Sequence, residues 1–575
     1  MIHHRIELHD VHAHQYRVTL SVPQPAAEQR VSLPVWIPGS YMLRELGRHL
    51  SRLEARQGRK PVPLQQIDKT TWQATCTGRA ALQISYLVYA FDTSVRTAFL
   101  DADRGFFNGT SLCLRVEGRE GEPHGLTLGR LPRGWAVATA MRSDGGNDFV
   151  ADDYDELVDH PFELGRFWRG TFEAAGVAHE FVVAGAWPGM DGERLLADTQ
   201  RICETQLAFW HGKRRPKPPF DRYLFLLNAV EDGHGGLEHR ASTALLCARR
   251  DLPRQGQEGA RDGYNSLLGL ISHEYFHAWN VKRMRPRELA RLDYTRENYT
   301  ALLWFFEGFT SYYDDLLLLR AGLIDAPSYL NLIAKAINGV AGTPGRRVQS
   351  VAQSSFDAWV KYYRSDENTP NATVSYYTKG ALVALALDLT LRKERRGTLD
   401  DVMQALWQGS RGGPIDERDI AAALREVGGR SYGKELAAWV HGTGELPLPE
   451  LLDAAGLAQR HAPCTFSASL GLRLAEGALS GVQVKSVLAG SAAAAAGVSA
   501  GDELLAVDGW RIRRLDDAQQ WLGAARSFEL MLGREQRVLT RAVQLASEPQ
   551  TTLALSLAAK PLPAAASLRR GWLGA

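Results

Sequence analysis

His273, Glu274 and His277 stand in the order His-Glu-x-x-His inside the apolar run LISHEYFHAWN (Leu270–Asn280). If that run is a helix, residues four apart share a face, so the two imidazoles point the same way. Glu274 then lies beside the first of them. Imidazole nitrogens suit zinc, and a catalytic zinc takes three protein ligands and keeps one position open for water. A neighbouring carboxylate can accept a proton from that water. The pattern also occurs by chance in unrelated chains. Its place on a predicted helix, with a third ligand candidate downstream, favours the metal.

One continuation of this motif needs a glycine three residues after the second histidine and another histidine six after it. Asn280 and Arg283 occupy those places, which excludes that class. The remaining arrangement takes a glutamate from a following helix. Glu297 lies 20 residues after His277 (297 − 277), in DYTRENYT, which reads as a polar helix start where a glutamate commonly caps. Glu307 lies 30 residues after it (307 − 277), within WFFEGFTSYY. An unpaired carboxylate among those aromatics would be costly. A metal ion resolves the cost, so Glu307 is the expected third ligand and one Zn2+ per chain the expected cofactor.

The elements that must position these residues change character along the chain. From the start to about Phe167, YRVTLSV, VSLPVWI, ALQISYLVYAF and SLCLRVEG alternate or are β-branched, with Gly, Pro and Asp clusters between them. They predict an all-β domain, a sandwich or saddle-shaped sheet. HEFVVAGAW and RYLFLLNAV read as further strands. GERLLADTQRICETQLAFWHG, YNSLLGLISHEYFHAWNVKRM, YTALLWFFEGFTSYYDDLLLLRAG and YYTKGALVALALDLTLRKER repeat apolar residues at helical spacing. Gly322 follows the third of these where a C-cap glycine belongs. TLDDVMQALWQ opens on a Thr-x-x-Asp cap, and DIAAALREVGG is a further helix.

The bulk numbers bound the rest. At roughly 150 residues per domain, 575 residues should hold about three or four domains. Sixty-seven basic and 65 acidic residues leave a net charge of +2, which gives no reason to expect a nucleic-acid or membrane-surface partner. KRRPK, residues 213–217, reads as a solvated loop. The five cysteines (Cys76, Cys113, Cys203, Cys247, Cys464) are widely spaced and form no CxxC pair. They read as separate thiols of a reducing compartment. MIHHRIELHD alternates like a strand and lacks the features of a signal peptide. No run of about 18 uncharged apolar residues predicts a membrane span. The expected address is the bacterial cytoplasm.

HEYFHAWNVKRMRP followed by LLWFFEGFTSYYDDLLLLRAG resembles the glycyl aminopeptidase family of gluzincin metallopeptidases. That family is similar in its catalytic domain to the larger alanyl and leukotriene-hydrolase type of aminopeptidase. WIPGSYMLRELGRH (Trp36–His49) resembles the family's N-terminal β-domain signature. The resemblance implies a thermolysin-like catalytic domain and removal of small N-terminal residues, glycine and alanine. Gly235-Gly236-Leu237-Glu238 resembles the GxMEN loop of the related aminopeptidases, with Leu for Met and His239 for Asn. It implies that Glu238 binds the substrate's free α-amine, since an ammonium needs a fixed carboxylate partner. Gly235 and Gly236 would let the backbone approach the substrate and pair with it as a strand. Tyr377-Thr378-Lys379-Gly380 matches the relatives' Tyr-x-Lys-Gly pattern, which implies that Tyr377, or failing that Tyr376, hydrogen-bonds the tetrahedral oxyanion. Thermolysin-type sites place an aspartate one turn after the glutamate ligand to buttress a histidine. Here that place is Ser311, with Asp314 one turn further.

Ser469-Leu470-Gly471-Leu472, followed by AGSAAAAAGVSAGDELLAVDGWRI, resembles a bacterial PDZ domain. SASLGLRL reads as a strand with a glycine turn, and a helix from about Asp516 to Ala525 would flank a groove. The resemblance implies that a peptide adds as a strand there, its C-terminus held by N–H groups of the Ser469–Leu472 loop. The expected organisation is a multidomain α+β chain: an N-terminal β domain over 1–167, a zinc peptidase domain over 168–460, a PDZ domain over 461–548 and a tail over 549–575. The expected activity is that of a zinc aminopeptidase acting on peptides with a free N-terminus. One rival is an endopeptidase of the same chemistry, in which Glu238 anchors no amine. Another is a PDZ-type scaffold with a degenerate peptidase domain, against which the intact HExxH and Glu307 argue.

Overall fold

The computed structural model describes the chain apart from residues 213–217, 258, 260, 261, 548, 549 and 575. KRRPK therefore lies outside the described residues. The chain forms two compact units. The first comprises Met1–Tyr299, Tyr313–Ile324 and Met403–Asp416, and the second Thr300–Tyr312, Asp325–Val402 and Glu417–Ala575.

The first unit opens with an eight-stranded sheet whose middle strands are Ile2–Asp10, Gln15–Val22 and Leu82–Tyr89. Period-two alternation sends Tyr16, Val18, Leu20 and Val22 into the core, where Leu82, Ile84 and Tyr86 meet them. Two four-stranded sheets accompany it. Two of the expected strands differ. VSLPVWI is extended only where Glu28–Ser32 pairs with Thr71–Thr75. Pro34 and Pro38 supply no N–H for a ladder, so the chain leaves the sheet there. SLCLRVEG begins inside a short helix, Gly109–Leu112, and only its Arg115–Val116 is a strand. Asn108, whose amide donates to the carbonyls of Val95 and Thr97, turns the chain into that helix.

A five-stranded sheet follows, in the order Trp168–Ala174, Val177–Ala184, Arg222–Val230, Ser242–Ala248, His234–Glu238. Val177–Ala184, Arg222–Val230 and Ser242–Ala248 run parallel, and their near-continuous apolar runs are what a sheet buried on both faces requires. His234–Glu238 is antiparallel to its one neighbour and forms the edge. The helices Gly192–His211 and Asp262–Phe276 pack together, with Gln206 Nε2 donating to the Ser272 carbonyl (2.7 Å). Asp191 caps the first of them through the Arg194 amide. The helix Leu303–Arg320 ends as its glycine predicts: Gly322 is left-handed (φ 67°), and the Leu323 amide reaches the Leu318 carbonyl.

The second unit holds the helices Ala326–Ala341, Tyr376–Lys393 and Glu417–Gly428. Two elements within the expected tail, Thr551–Leu557 and Pro563–Leu573, are part of its framework. Thr551–Leu557 pairs along its length with Leu457–Pro463. The helix Pro563–Leu573 buries Trp572, whose Nε1 donates to the Tyr312 hydroxyl (3.1 Å). That hydroxyl donates in turn to Asp388 Oδ2 (2.6 Å). The PDZ segment is thus inserted between two paired strands.

Within that segment the main sheet has Leu472–Gly477 at its edge, and the flanking helix is a 3-10 turn over Leu515–Ala518 continued by Gln519–Leu522. SASLGLRL does not begin as a strand. Thr465 caps a helical turn over Phe466–Leu470, and Gly471 closes it with φ 73°. The Ser469 amide donates to Thr465 O and the Gly471 amide to Ala468 O (both 2.9 Å). These two amides of the Ser469–Leu472 loop bond to the helical turn itself. Thr465 and Gly471 are the N-cap and C′ residue types that favour this turn. No helix of the described residues is long and apolar enough to cross a membrane. All five cysteines are free thiols.

Candidate active site

The helix Asp262–Phe276 buries Leu267, Ile271, Tyr275 and Phe276 and carries His273 and Glu274. His277 follows it directly, its amide still donating to the His273 carbonyl (3.2 Å). The chain then reverses. Val281 has φ 149°, a conformation that a β-branched residue adopts only when its surroundings impose it. The Lys282 amide returns to the His277 carbonyl (3.0 Å), and the Asn280 carbonyl accepts from His277 Nδ1 (2.8 Å). His273 Nδ1 donates to Asp314 Oδ2 (2.9 Å). Asp314 is itself held, because Ser272 Oγ donates to its carbonyl (2.9 Å).

These contacts fix both tautomers. A carbonyl and a carboxylate can only accept, so each Nδ1 carries the proton and each Nε2 presents a lone pair. The two Nε2 atoms lie 3.1 Å apart. Two lone pairs that close repel each other unless a cation sits between them. Glu307, 2% exposed, completes the set: ligand atoms of His273, His277 and Glu307 all lie within 4.8 Å of one another. Glu297 lies in a loop, not at a helix start, and accepts from the Tyr299 hydroxyl (2.7 Å). Ser311 does not supply the histidine's partner; Asp314, seven residues after Glu307 on the same helix, does.

Ser375 caps the helix Tyr376–Lys393, its hydroxyl accepting from the Thr378 amide (3.1 Å). Tyr376 is fully buried and stacks on Tyr377, with ring centroids 4.7 Å apart. Tyr377 is half-buried, and its hydroxyl lies 3.3 Å from that of Tyr363. Burial first, and then the Glu307 carboxylate, raise its pKa well above the ordinary phenol range. It therefore stays a phenol with a proton to donate.

On the edge strand, Gly236 abuts Glu274: a Cβ there would overlap Glu274 Oε1. Arg96 Nη2 donates to the Gly236 carbonyl (2.9 Å) and holds the strand in place. Glu238, two residues on, is 4% exposed, and its Oε1 has no hydrogen-bond partner among the described residues. His239 alternates to the other side of the strand and is buried, its Nδ1 3.5 Å from Asp159 Oδ1. Asp159 also receives Lys282 Nζ (2.6 Å) and the Arg240 amide (2.8 Å). Burial alone would push the Asp159 carboxyl up, but the Lys282 ammonium and His239 hold it well below the usual carboxylate range. This network pins the strand end that carries Glu238. Nothing in local sequence links Asp159 to residues 239 and 282. Asp314, by contrast, was legible as a carboxylate two turns beyond Glu307.

Comparison with known proteins places the chain. The Peptidase M61 N-terminal domain family matches residues 3–166, the M61 glycyl aminopeptidase family residues 266–383 and the PDZ domain family residues 483–532. The crystal structure of an aminopeptidase N family protein of Idiomarina loihiensis is similar, with 36% identity, coverage of 100% of both chains and a TM-score of 0.94. A variant of an M1 zinc metallopeptidase of Deinococcus radiodurans, bound to a Tyr-Ser-Ala substrate, is 14% identical over 78% of this chain and 95% of that one, with a TM-score of 0.47. No curated protein matches the sequence. The chain belongs to the M61 glycyl aminopeptidase family and is a peptidase with a PDZ domain near its C-terminus.

Proposed function

We propose that the protein is a zinc aminopeptidase that removes small N-terminal residues, glycine and alanine, from peptides. The observation that carries the reading is the position of Glu238. It is buried with one carboxylate oxygen unpaired among the described residues, on the same face of its strand as Gly236, which abuts Glu274. Two residues along a strand are separated by about 6.6–6.8 Å. That span accommodates one amino-acid residue, its ammonium on Glu238 and its carbonyl within reach of Glu274. The preference for small residues rests on membership of the glycyl aminopeptidase family.

The donor set fits zinc. Two nitrogens bound tetrahedrally at roughly 2.0–2.1 Å from zinc lie about 3.3 Å apart, close to the observed imidazole spacing. Zinc held by His273, His277 and Glu307 would polarise the scissile carbonyl and acidify a water. Glu274 takes that water's proton and passes it to the leaving amine. Tyr377 donates a hydrogen bond from its phenol O–H to the carbonyl oxygen as charge gathers there, keeping its proton. The free edge of His234–Glu238 aligns the substrate as an added strand. Glu238 binds the ammonium and so selects the first residue of a chain.

An endopeptidase of the same chemistry would have to continue its substrate past a buried carboxylate whose Oε1 has no hydrogen-bond partner among the described residues, which is unfavourable. The test is hydrolysis of free and N-acetylated alanyl peptides by wild type and Glu238→Ala. A charge-assisted pair of this kind is worth about 1.5–3 kcal/mol, so its loss should reduce free-amine hydrolysis about tenfold to a hundredfold or more. Slow cleavage of the blocked peptide should be unchanged. Equal loss on both would assign Glu238 to the fold, and rapid wild-type cleavage of the blocked peptide would make the enzyme an endopeptidase.

A further inference from the structure

Beyond the strand that carries it, Glu238 meets a turn from far away in the sequence. Gly39 belongs to WIPGSY, in a turn closed by the Ser40 amide on the Ile37 carbonyl (3.0 Å). Its φ is 91°, which glycine adopts without steric cost. The glycine lies face-on against the Glu238 carboxylate. A Cβ at position 39 would overlap Oε1 and stand 2.5 Å from Oε2 and 2.7 Å from Cδ. A side chain at position 39 would have to displace the carboxylate from this position.

The turn is firmly held on its other side. Trp36 Nε1 donates to the Asp293 carbonyl and the Val35 amide to the Tyr294 carbonyl (both 2.8 Å). Trp36 and Tyr41 are buried with their rings 6.5 Å apart. Ile37 packs with Leu237, the residue before Glu238, in one apolar cluster with Phe99 and Phe106. Arg44 donates to the Ser40 hydroxyl.

We infer that Gly39 is a positioning and specificity residue of the amine site: the Trp36–Tyr41 turn holds the Glu238 carboxylate in one orientation and closes the space beyond it to any longer N-terminus. The inference rests on Glu238 being the amine anchor. It adds that the N-terminal β domain, through one glycine, decides that cleavage stops after the first residue. A backbone wall suits this role because it leaves the carboxylate oxygens their charge and takes away only the room around them.

The experiment compares Gly39→Ala, Glu238→Asp and the double variant in the full-length zinc-loaded enzyme, with KM and kcat measured on alanine p-nitroanilide and turnover on its N-acetylated form. Gly39→Ala should raise KM for the free amine at least tenfold, change kcat far less, and leave zinc content and blocked-substrate turnover unaltered. Aspartate is one methylene shorter and leaves room for the new methyl group. The double variant should therefore have the KM of Glu238→Asp alone, not the product of the two single effects. Independent, multiplying effects would overturn the inference, as would a wild-type KM in Gly39→Ala. If Glu238→Asp itself leaves KM unchanged, the amine-anchor reading fails instead. Should Gly39→Ala fold too poorly to assay, the double variant decides. Folding restored by the shorter acid supports the contact, and a double variant that also fails to fold assigns Gly39 to the fold alone.

Discussion

Gly308 and Gly380 meet backbone to backbone: a Cβ on Gly308 would stand 2.5 Å from the Cα of Gly380, and one on Gly380 2.6 Å from the Trp304 carbonyl oxygen. The helices Leu303–Arg320 and Tyr376–Lys393 therefore cross at the closest approach that two backbones permit. Glu307 directly precedes the first glycine, and Tyr377 lies three residues before the second. The glycine of the Tyr-x-Lys-Gly pattern has this physical cause, since any side chain there would drive the phenol away from the Glu307 carboxylate.

Tyr377→Phe tests what that crossing positions. Removal of one preorganised donor to a developing oxyanion typically lowers kcat about 10²–10³-fold. The expected result is a loss of that order with KM little changed, read from steady-state kinetics on a free alanyl substrate. Tyr376→Phe, which alters a hydroxyl on the fully buried ring, should lose far less. The reverse ranking would move the oxyanion role to Tyr376.

Asp314 holds His273 by its Nδ1 and should act through the metal. Asp314→Asn keeps the shape and removes the charge. Changes of this kind typically cost 10–100-fold in metal affinity. Competition against a zinc chelator should show that loss, and excess zinc should restore most of the activity. Activity lost while zinc affinity stays intact would give Asp314 some role other than orienting the ligand.

The third ligand separates two glutamates ten positions apart (307 − 297). Glu307→Gln should lose bound zinc, measured by metal analysis after dialysis. Glu297→Gln should retain it, because that carboxylate stands in a loop on the Tyr299 hydroxyl. Zinc lost only from Glu297→Gln would refute the assignment.

Much of this was legible in the chain, for identifiable reasons. Tyr16, Val18, Leu20 and Val22 follow a strict period of two because one face of their strand is core. His273, Glu274 and His277 carry their spacing along one helix and the turn that continues it, so local sequence states their geometry. Glu307 stood out as a carboxylate among buried aromatics, and its carboxylate lies near the imidazoles of His273 and His277. What stayed hidden depends on partners distant in sequence. Phe466–Leu470 is helical because a cap and a closing glycine outweigh its strand-like alternation. The stretch over 549–575 looked featureless because its pairing partner, Leu457–Pro463, lies beyond the inserted PDZ segment. The Asp159–Lys282 pair and the contact of Gly39 with Glu238 join residues more than a hundred positions apart, and no periodicity reports such meetings.

His4 gives the stability of the N-terminal β domain a pH dependence with a definite sign. Its ring is fully buried and stacks on His124 at 6.0 Å, with Nε2 bonded to the Leu114 carbonyl (3.1 Å). Burial first, then the neighbouring His124, lower its pKa to about 3, with the Leu114 carbonyl opposing them. The folded protein thus keeps His4 neutral where the unfolded chain, titrating near 6.5, takes up a proton. The stability tied to this neutral ring is fully present above about pH 6.5 and is lost as the pH falls towards the folded value. At pH 5, about 1.5 units below the unfolded value, the loss from this one group is about 2 kcal/mol. His4→Phe keeps a ring in the stack and removes the titration. Its urea midpoint at pH 7 should be lower than that of wild type, because the bond to Leu114 is gone. Between pH 7 and pH 5, however, the midpoint should fall less than that of wild type. Parallel falls in the two proteins would show that the buried His4 does not drive the acid sensitivity.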